Sequence, residues 1–313
     1  VGNGDGGRTV TASLDEIGPI AFIGLGHMGA PMAARLASRG ASLRVHDLRG
    51  DLVERFVGAH GGIAAASIAA AVDQAAFVIA MLPDDAAVRT VMLGDGGVAT
   101  SLRRNDAVVI DMGTSSPEST LAIAAEFARV GLAYVDAPVM GGVPFARDGT
   151  LDVMAGGEPD AVERCMPLFS ALGRRTWRCG ASGSGHALKA IANFVNAATF
   201  IALLEAMTIG KKFGLGSAFM AEALASMCAG RQHPLEKKIV PQVMTRRFGT
   251  GMAMGLIAKD VGIVTHLARG IGARAPVAEA THALWREAAQ RYGYGHDQAE
   301  VVRLWEDGAG VEL

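Results

Sequence analysis

The chain has 313 residues, half of them hydrophobic and 19% charged, with a formal net charge of −2 at pH 7. That is the composition of a globular protein with room for about two domains, and it excludes a disordered chain. A charge balance this close to neutral also excludes the basic footprint of a nucleic-acid binder.

The N-terminal stretch "VGNGDGGRTVTASLDEIG" lacks the apolar run of a signal peptide, and its glycines predict a flexible arm over residues 1–17. "PIAFIG" (19–24) then reads as a short buried strand ending at glycine, and "MGAPMAARLASRG" (28–40) has helical spacing with Gly40 as its stop. The strand pattern repeats at 41–47, 75–82, 106–112 and 131–137. Helices are expected in "DDAAVRTVML", "SPESTLAIAAEFARV" and "EPDAVERCMPLFSAL", two of them opened by Asp or Ser caps. Apolar strands alternating with helices predict a parallel sheet covered on both faces. After Gly183 the strands stop, and residues 183 to 306 read as helices, the first running to about Phe213. Its apolar stretch carries Asn193, Asn196 and Thr199 and is too short to span a membrane, so no membrane partner is expected. The fold expected is α/β, a Rossmann-type doubly wound parallel sheet over 18–182, followed by an all-α domain over 183–313.

Three cysteines (Cys165, Cys179, Cys228) show no C-x-x-C spacing, and eight histidines form no H-E-x-x-H set. The expectation is a reduced, cytoplasmic protein without a metal.

"GLGHMG" comprises Gly24, Leu25, Gly26, His27, Met28 and Gly29, and matches G-x-G-x-x-G between a predicted strand and a predicted helix. In that setting Gly24 allows the tight turn, Gly26 lets the backbone approach a pyrophosphate, and Gly29 permits close helix–strand packing. Asp47 ends the second predicted strand, where a carboxylate binds the ribose 2′-hydroxyl of NAD and repels the 2′-phosphate of NADP. NAD is therefore the cofactor expected ahead of NADP, although Arg44 and Arg49 stand nearby.

Lys189, Asn193 and Asn196 lie at i, i+4 and i+7, so one helical face carries all three. A lone lysine near a helix start is usually solvated, but apolar surroundings penalise every polar group left unpaired. Desolvation disfavours the ammonium form, which suits a lysine to exchange a hydroxyl proton while hydride moves to or from a cofactor. Lys189 and Asn193 are the candidate catalytic residues, and Asn196 a candidate substrate contact.

Six blocks make the chain resemble the β-hydroxyacid dehydrogenases, such as 3-hydroxyisobutyrate dehydrogenase and tartronate semialdehyde reductase. They are "FIGLGHMGAPMA" (22–33), "MLPDDAAV" (81–88), "IDMGTSSP" (110–117), "DAPVMGG" (136–142), "GSGHALKAIAN" (183–193) and "LIAKD" (256–260). The resemblance implies that Lys189 is the acid–base lysine and that Asn193 holds substrate and lysine together. It implies a carboxylate site on the N–H groups of Met140, Gly141 and Gly142, where a branched side chain at 142 is expected to restrict the turn. It makes Leu82, Pro83 and Thr114 cofactor contacts and Lys259 a second lysine near the nicotinamide. A surface ion pair is the plain alternative for Lys259 and Asp260. Departures from the family pattern fall at Met140 (usually Ser), Gly113 (Ser), Ala192 (Asn) and Met252 (an aromatic residue).

The activity this implies is NAD-dependent interconversion of a small 3-hydroxy acid and its semialdehyde or keto acid, in a homodimer or homotetramer. An imine reductase and a cofactor-binding scaffold without turnover are the rival readings. Relatives of both kinds generally lack the lysine.

Overall fold

The computed structural model describes residues 14–213, 215–228, 234–249, 251–270 and 276–313. The chain divides into two compact units, Val1–Lys189 and Ala190–Leu313.

In the first unit six strands are parallel: β1 (Ile20–Ile23), β2 (Leu43–His46), β3 (Ile63–Ala64), β4 (Phe77–Ala80), β5 (Val108–Asp111) and β6 (Ala133–Asp136). Between them run α1 (Gly29–Ala37), α2 (Gly50–His60), α3 (Ile68–Val72), α4 (Asp85–Leu93), α5 (Val98–Ser101) and α6 (Pro117–Arg129). Every residue of β1, β4 and β5 is buried, because alternate side chains enter different cores. Ile20 and Phe22 join a cluster with Leu36 and Phe169, whereas Ala21 and Ile23 join one with Val78 and Phe127. The strand order is β3-β2-β1-β4-β5-β6, so the direction of winding reverses between β1 and β4. Such a switch opens a crevice at the carboxyl ends of the strands, which is where the glycine loop leaves β1. Caps form as the sequence suggests at two helices: Asp84 accepts from Ala87 N–H and Ser116 from Ser119 N–H.

Two details add to the expected outline. Residues 1–13 of the arm expected over 1–17 lie outside the described residues; of the rest, Leu14 is packed while Asp15 and Glu16 are exposed. Leu14 is buried in the core with Phe22 and Leu36, and its N–H donates to Arg39 O at 3.1 Å. Burying a leucine stabilises by about 1.5–3 kcal/mol, enough to offset ordering a residue. The sheet is also not wholly parallel. β7 (Val139–Met140) and β8 (Leu151–Gly156) are antiparallel to each other, joined through α7 (Val143–Asp148), a connection too short for a parallel crossover. β8 is antiparallel to β6 as well. After α8 (Pro159–Leu172), β9 (Gly173–Gly180) returns parallel to β8.

α9 (Ser184–Phe213) starts in the first unit and continues into the second. The second unit adds α10 (Ser217–Cys228), a π-helical segment Leu235–Val243, α11 (Met254–Gly270), α12 (Pro276–Tyr292), a 3-10 segment Gln298–Val302 and α13 (Arg303–Ala309). Its core gathers Phe200, Met254, Val261 and Trp285. Among the described residues no helix is long and apolar enough to cross a membrane. The architecture is thus a parallel-dominated Rossmann-type sheet followed by a helical domain.

Candidate active site

The glycines of the 24–29 loop have different reasons to lack a side chain. Gly24 has φ +96°, and a Cβ there would collide with the Met81 carbonyl. A Cβ at Gly29 would collide with the carbonyl of Gly24. At Gly26 a Cβ would meet nothing within 4 Å, so no protein atom demands the glycine. At the start of α1, Met28 makes no side-chain cap bond and the first turn holds no acid. An uncapped helix N-terminus behind an open backbone is where a pyrophosphate fits, and these residues fit a dinucleotide. Gly26 and His27 are exposed, Met28 half-buried and Leu25 buried.

Asp47 Oδ2 accepts from Leu25 N–H at 2.7 Å, and Oδ1 from Arg49 N–H at 2.9 Å. The acid is therefore tied to the glycine loop while keeping further lone pairs. Arg44 points elsewhere, donating to Ala70 O and Asp73 O by the end of α3. Arg49 remains exposed. Leu82 and Pro83 follow β4 after Met81, and Thr114 lies shortly after β5, so these residues share the strand-end edge with the glycine loop. Gly113 has a local reason: a Cβ would come within 3.0 Å of Leu82 O and 3.1 Å of Asp111 Oδ1.

At the end of β7 the demand for glycine falls on Gly141, with φ +139° and a would-be Cβ 2.8 Å from Leu151 Cδ2. Gly142 corrects the expectation placed on it. Its backbone is extended (φ −158°, ψ −171°), and a Cβ would meet only Pro144 Cδ at 3.9 Å. A branched residue at 142 would not strain the turn. Beside this turn stands Lys189, buried, with Nζ 3.8 Å from Met140 Sδ. The structure thus brings together the lysine and the turn that sequence reasoning picked out separately.

Asn193, Asn196 and Lys259 belong to the second unit. Asn193 is buried, and its Nδ2 donates to Asp260 Oδ2 at 2.9 Å. Lys259 Nζ lies 3.1 Å from Asp260 Oδ1, off the hydrogen-bonding direction. Because Asp260 is buried, the pair is not the surface ion pair considered above. Asn196 is half-buried.

Sequence reasoning missed a buried polar cluster below Lys189. Asp111, Ser115, Thr120, Asp136 and His186 are buried and polar, and Tyr134 joins them. Asp111 Oδ1 accepts from Gly113 N–H at 2.9 Å, while Oδ2 accepts from Ser115 Oγ–H at 3.0 Å and Tyr134 O–H at 3.3 Å. Asp136 accepts from Gly183 N–H at 2.7 Å and His186 N–H at 2.9 Å. Burial raises the carboxyl pKa of Asp136, opposed by His186 and by those two N–H groups. Burial, then the charges of Asp111 and Asp136, push the Tyr134 phenol well above its usual value. The available signal was an acid at the end of two apolar strands and a histidine inside "GSGHALK".

A family model described as the NAD binding domain of 6-phosphogluconate dehydrogenase matches residues 19–181. A second, described as "NAD-binding of NADP-dependent 3-hydroxyisobutyrate dehydrogenase", matches residues 183–305. The chain is 34% identical over 298 residues to the 2-(hydroxymethyl)glutarate dehydrogenase of Eubacterium barkeri, covering 94% of this chain and 97% of that one. It is 36% identical over 289 residues to the NAD-dependent L-serine dehydrogenase of Pseudomonas aeruginosa, covering 91% and 96%. A solved structure of Mycobacterium tuberculosis 3-hydroxyisobutyrate dehydrogenase with L-serine matches with a TM-score of 0.81 at 28% identity, covering 92% of this chain and 98% of that one.

Proposed function

Because this chain belongs to the β-hydroxyacid dehydrogenase family, we propose that it interconverts a small 3-hydroxy acid and its semialdehyde or keto acid. The observation that carries this reading is the buried Lys189 side chain with its amino group beside the 140–142 turn. A carboxylate received by the N–H groups of that turn would set a nearby hydroxyl within reach of Nζ. When bound, the nicotinamide supplies the hydride acceptor. Lys189 takes the hydroxyl proton in the oxidative direction and returns it in the reductive one. Asn193 and Asn196 follow at one-turn intervals along the same helix, and we assign them to the substrate's polar groups. Asp260 gives Asn193 a fixed rotamer by accepting from its amide.

We assign the cofactor to Gly24–Gly29, Leu82, Pro83, Thr114 and Lys259, with Asp47 selecting NAD over NADP. The name of the Pseudomonas aeruginosa relative states NAD dependence, whereas the family model over residues 183–305 is described for an NADP-dependent enzyme, so the choice rests on Asp47. Residues 18–182 would form the cofactor-binding domain and 183–313 the helical domain of a cytoplasmic homodimer or homotetramer.

Purified protein tested with NAD⁺ and a panel of 3-hydroxy acids should turn over at least one of them. Lys189→Ala should lower kcat by about 10²–10⁴ on that substrate, with cofactor affinity little changed. A variant retaining near-normal turnover would remove Lys189 from the reaction.

A further inference from the structure

The cluster below Lys189 links two segments that the proposed reaction needs in register. Asp111 clasps the loop after β5 through Gly113 N–H and Ser115 Oγ–H, and Thr114 lies between those two residues. Asp136 clasps the start of α9 through the N–H groups of Gly183 and His186. Lys189 follows His186 by three residues, almost one helical turn. The glycines let this approach happen, since a Cβ at Gly185 would come within 2.8 Å of Asp136 Oδ2 and 2.9 Å of its carbonyl.

The His186 ring stands between the two acids. Its Nε2 is 3.8 Å from Asp111 Oδ2, and its Nδ1 is 3.9 Å from Asp136 Oδ2. Nδ1 is also 2.7 Å from Thr120 Oγ1, which donates its only proton to Ser116 O at 2.9 Å. Thr120 therefore accepts, and Nδ1 carries a hydrogen. Nε2 is fully buried, makes no hydrogen bond and faces Asp111. Two acids side by side on neighbouring strands, out of water, repel each other. The imidazole ring is the side chain that these contacts place between them.

We propose that His186 is a positioning residue: by bridging Asp111 and Asp136 it fixes the start of α9, and with it Lys189, against the loop that carries Thr114. The inference rests on the acid–base role proposed for Lys189, and its test separates the two. His186→Gln and Thr120→Val each remove part of the bridge, and the contacts of both residues are with Asp111, Asp136, Ser116 and each other rather than with the turn at 140–142. Kinetics with NAD⁺ should show kcat reduced by roughly ten- to a hundredfold in His186→Gln, as for a lysine displaced by a fraction of its reach. KM and cofactor affinity should stay within about threefold, and Thr120→Val should show the same split more weakly.

The deciding comparison is a double-mutant cycle with Lys189→Ala. Once the lysine is gone its placement no longer matters, so His186→Gln should add little further loss. Losses that multiply, or a His186→Gln variant with a lower Tm and unchanged kcat, would overturn the positioning role while leaving Lys189 in place. Near-normal turnover by Lys189→Ala alone would overturn both readings. If His186→Gln does not fold, Thr120→Val carries the same cycle and is judged by the same outcomes.

Discussion

Asp47 accepts from the backbone N–H groups of both Leu25 and Arg49 with one carboxylate. It holds the Leu25 N–H of the glycine loop, and the same group is our candidate for the ribose hydroxyl. Ionised carboxylates offer about four acceptor positions, so the two tasks do not compete. Arg44 is committed to carbonyls by the end of α3, which leaves Arg49 as the nearby arginine able to meet a 2′-phosphate. Asp47→Ser should therefore act twice. Losing the charge-assisted bond to Leu25 loosens the loop, and losing the negative charge lifts the repulsion of NADP(H). NADH affinity should fall by about tenfold or more, the equivalent of one such bond. The preference for NADH over NADPH should narrow, as titration of both cofactors by protein fluorescence would show. A wild-type chain that binds NADPH more tightly would transfer control of the site to Arg49.

The turn after β7 separates what an element needs from what its ligand needs. Gly141 is required by the fold, because its φ is +139° and Leu151 and Phe145 close over it. Gly142 is extended and has room, so a side chain there meets solvent or substrate before it meets protein. Gly142→Val should fold with a Tm near that of the wild type yet lose activity by orders of magnitude on every acid tested. Gly141→Val should lose stability itself, by about 1–3 kcal/mol or more. A folded and active Gly142→Val would mean that no carboxylate sits on this turn. The same distinction explains what the sequence revealed. β1, β4 and β5 are buried on both faces, which writes a continuous apolar run, and "GLGHMG", "MGG" and Lys189 are local patterns. β9, "GRRTWRCG", is largely exposed and shows no period, and the two-residue β3 is exposed throughout. The cluster of Asp111, Asp136 and His186 was invisible for a different reason. It exists only because β5 pairs with β6, setting Asp111 opposite Asp136, and because α9 starts beside them.

At the scale of the whole molecule, a single chain leaves apolar surface that a buried interface would cover. Ile191 and Val195 lie one turn apart on α9 and are 46% and 53% exposed, and Phe219 on α10 is 63% exposed. Scattered apolar residues are ordinary on a surface, but two on one face of a long helix form a stripe. A stable interface buries on the order of 1,200–2,000 Å² in total, more than such a stripe supplies, so other helices of the second unit would have to contribute. This is why we assign self-association to the helical unit and expect a homodimer or homotetramer. Sedimentation velocity of the wild type should give the mass of two or four chains. Val195→Glu puts a charge into the stripe without touching the residues assigned to the reaction. If α9 lies in the interface, burying that carboxylate costs several kcal/mol per site, enough to raise the dissociation constant by more than a hundredfold. The variant should then sediment as a smaller species at micromolar concentration with its circular dichroism unchanged. A monomeric wild type would refute self-association outright, and a Val195→Glu variant that keeps the wild-type mass would move the interface off this face of α9.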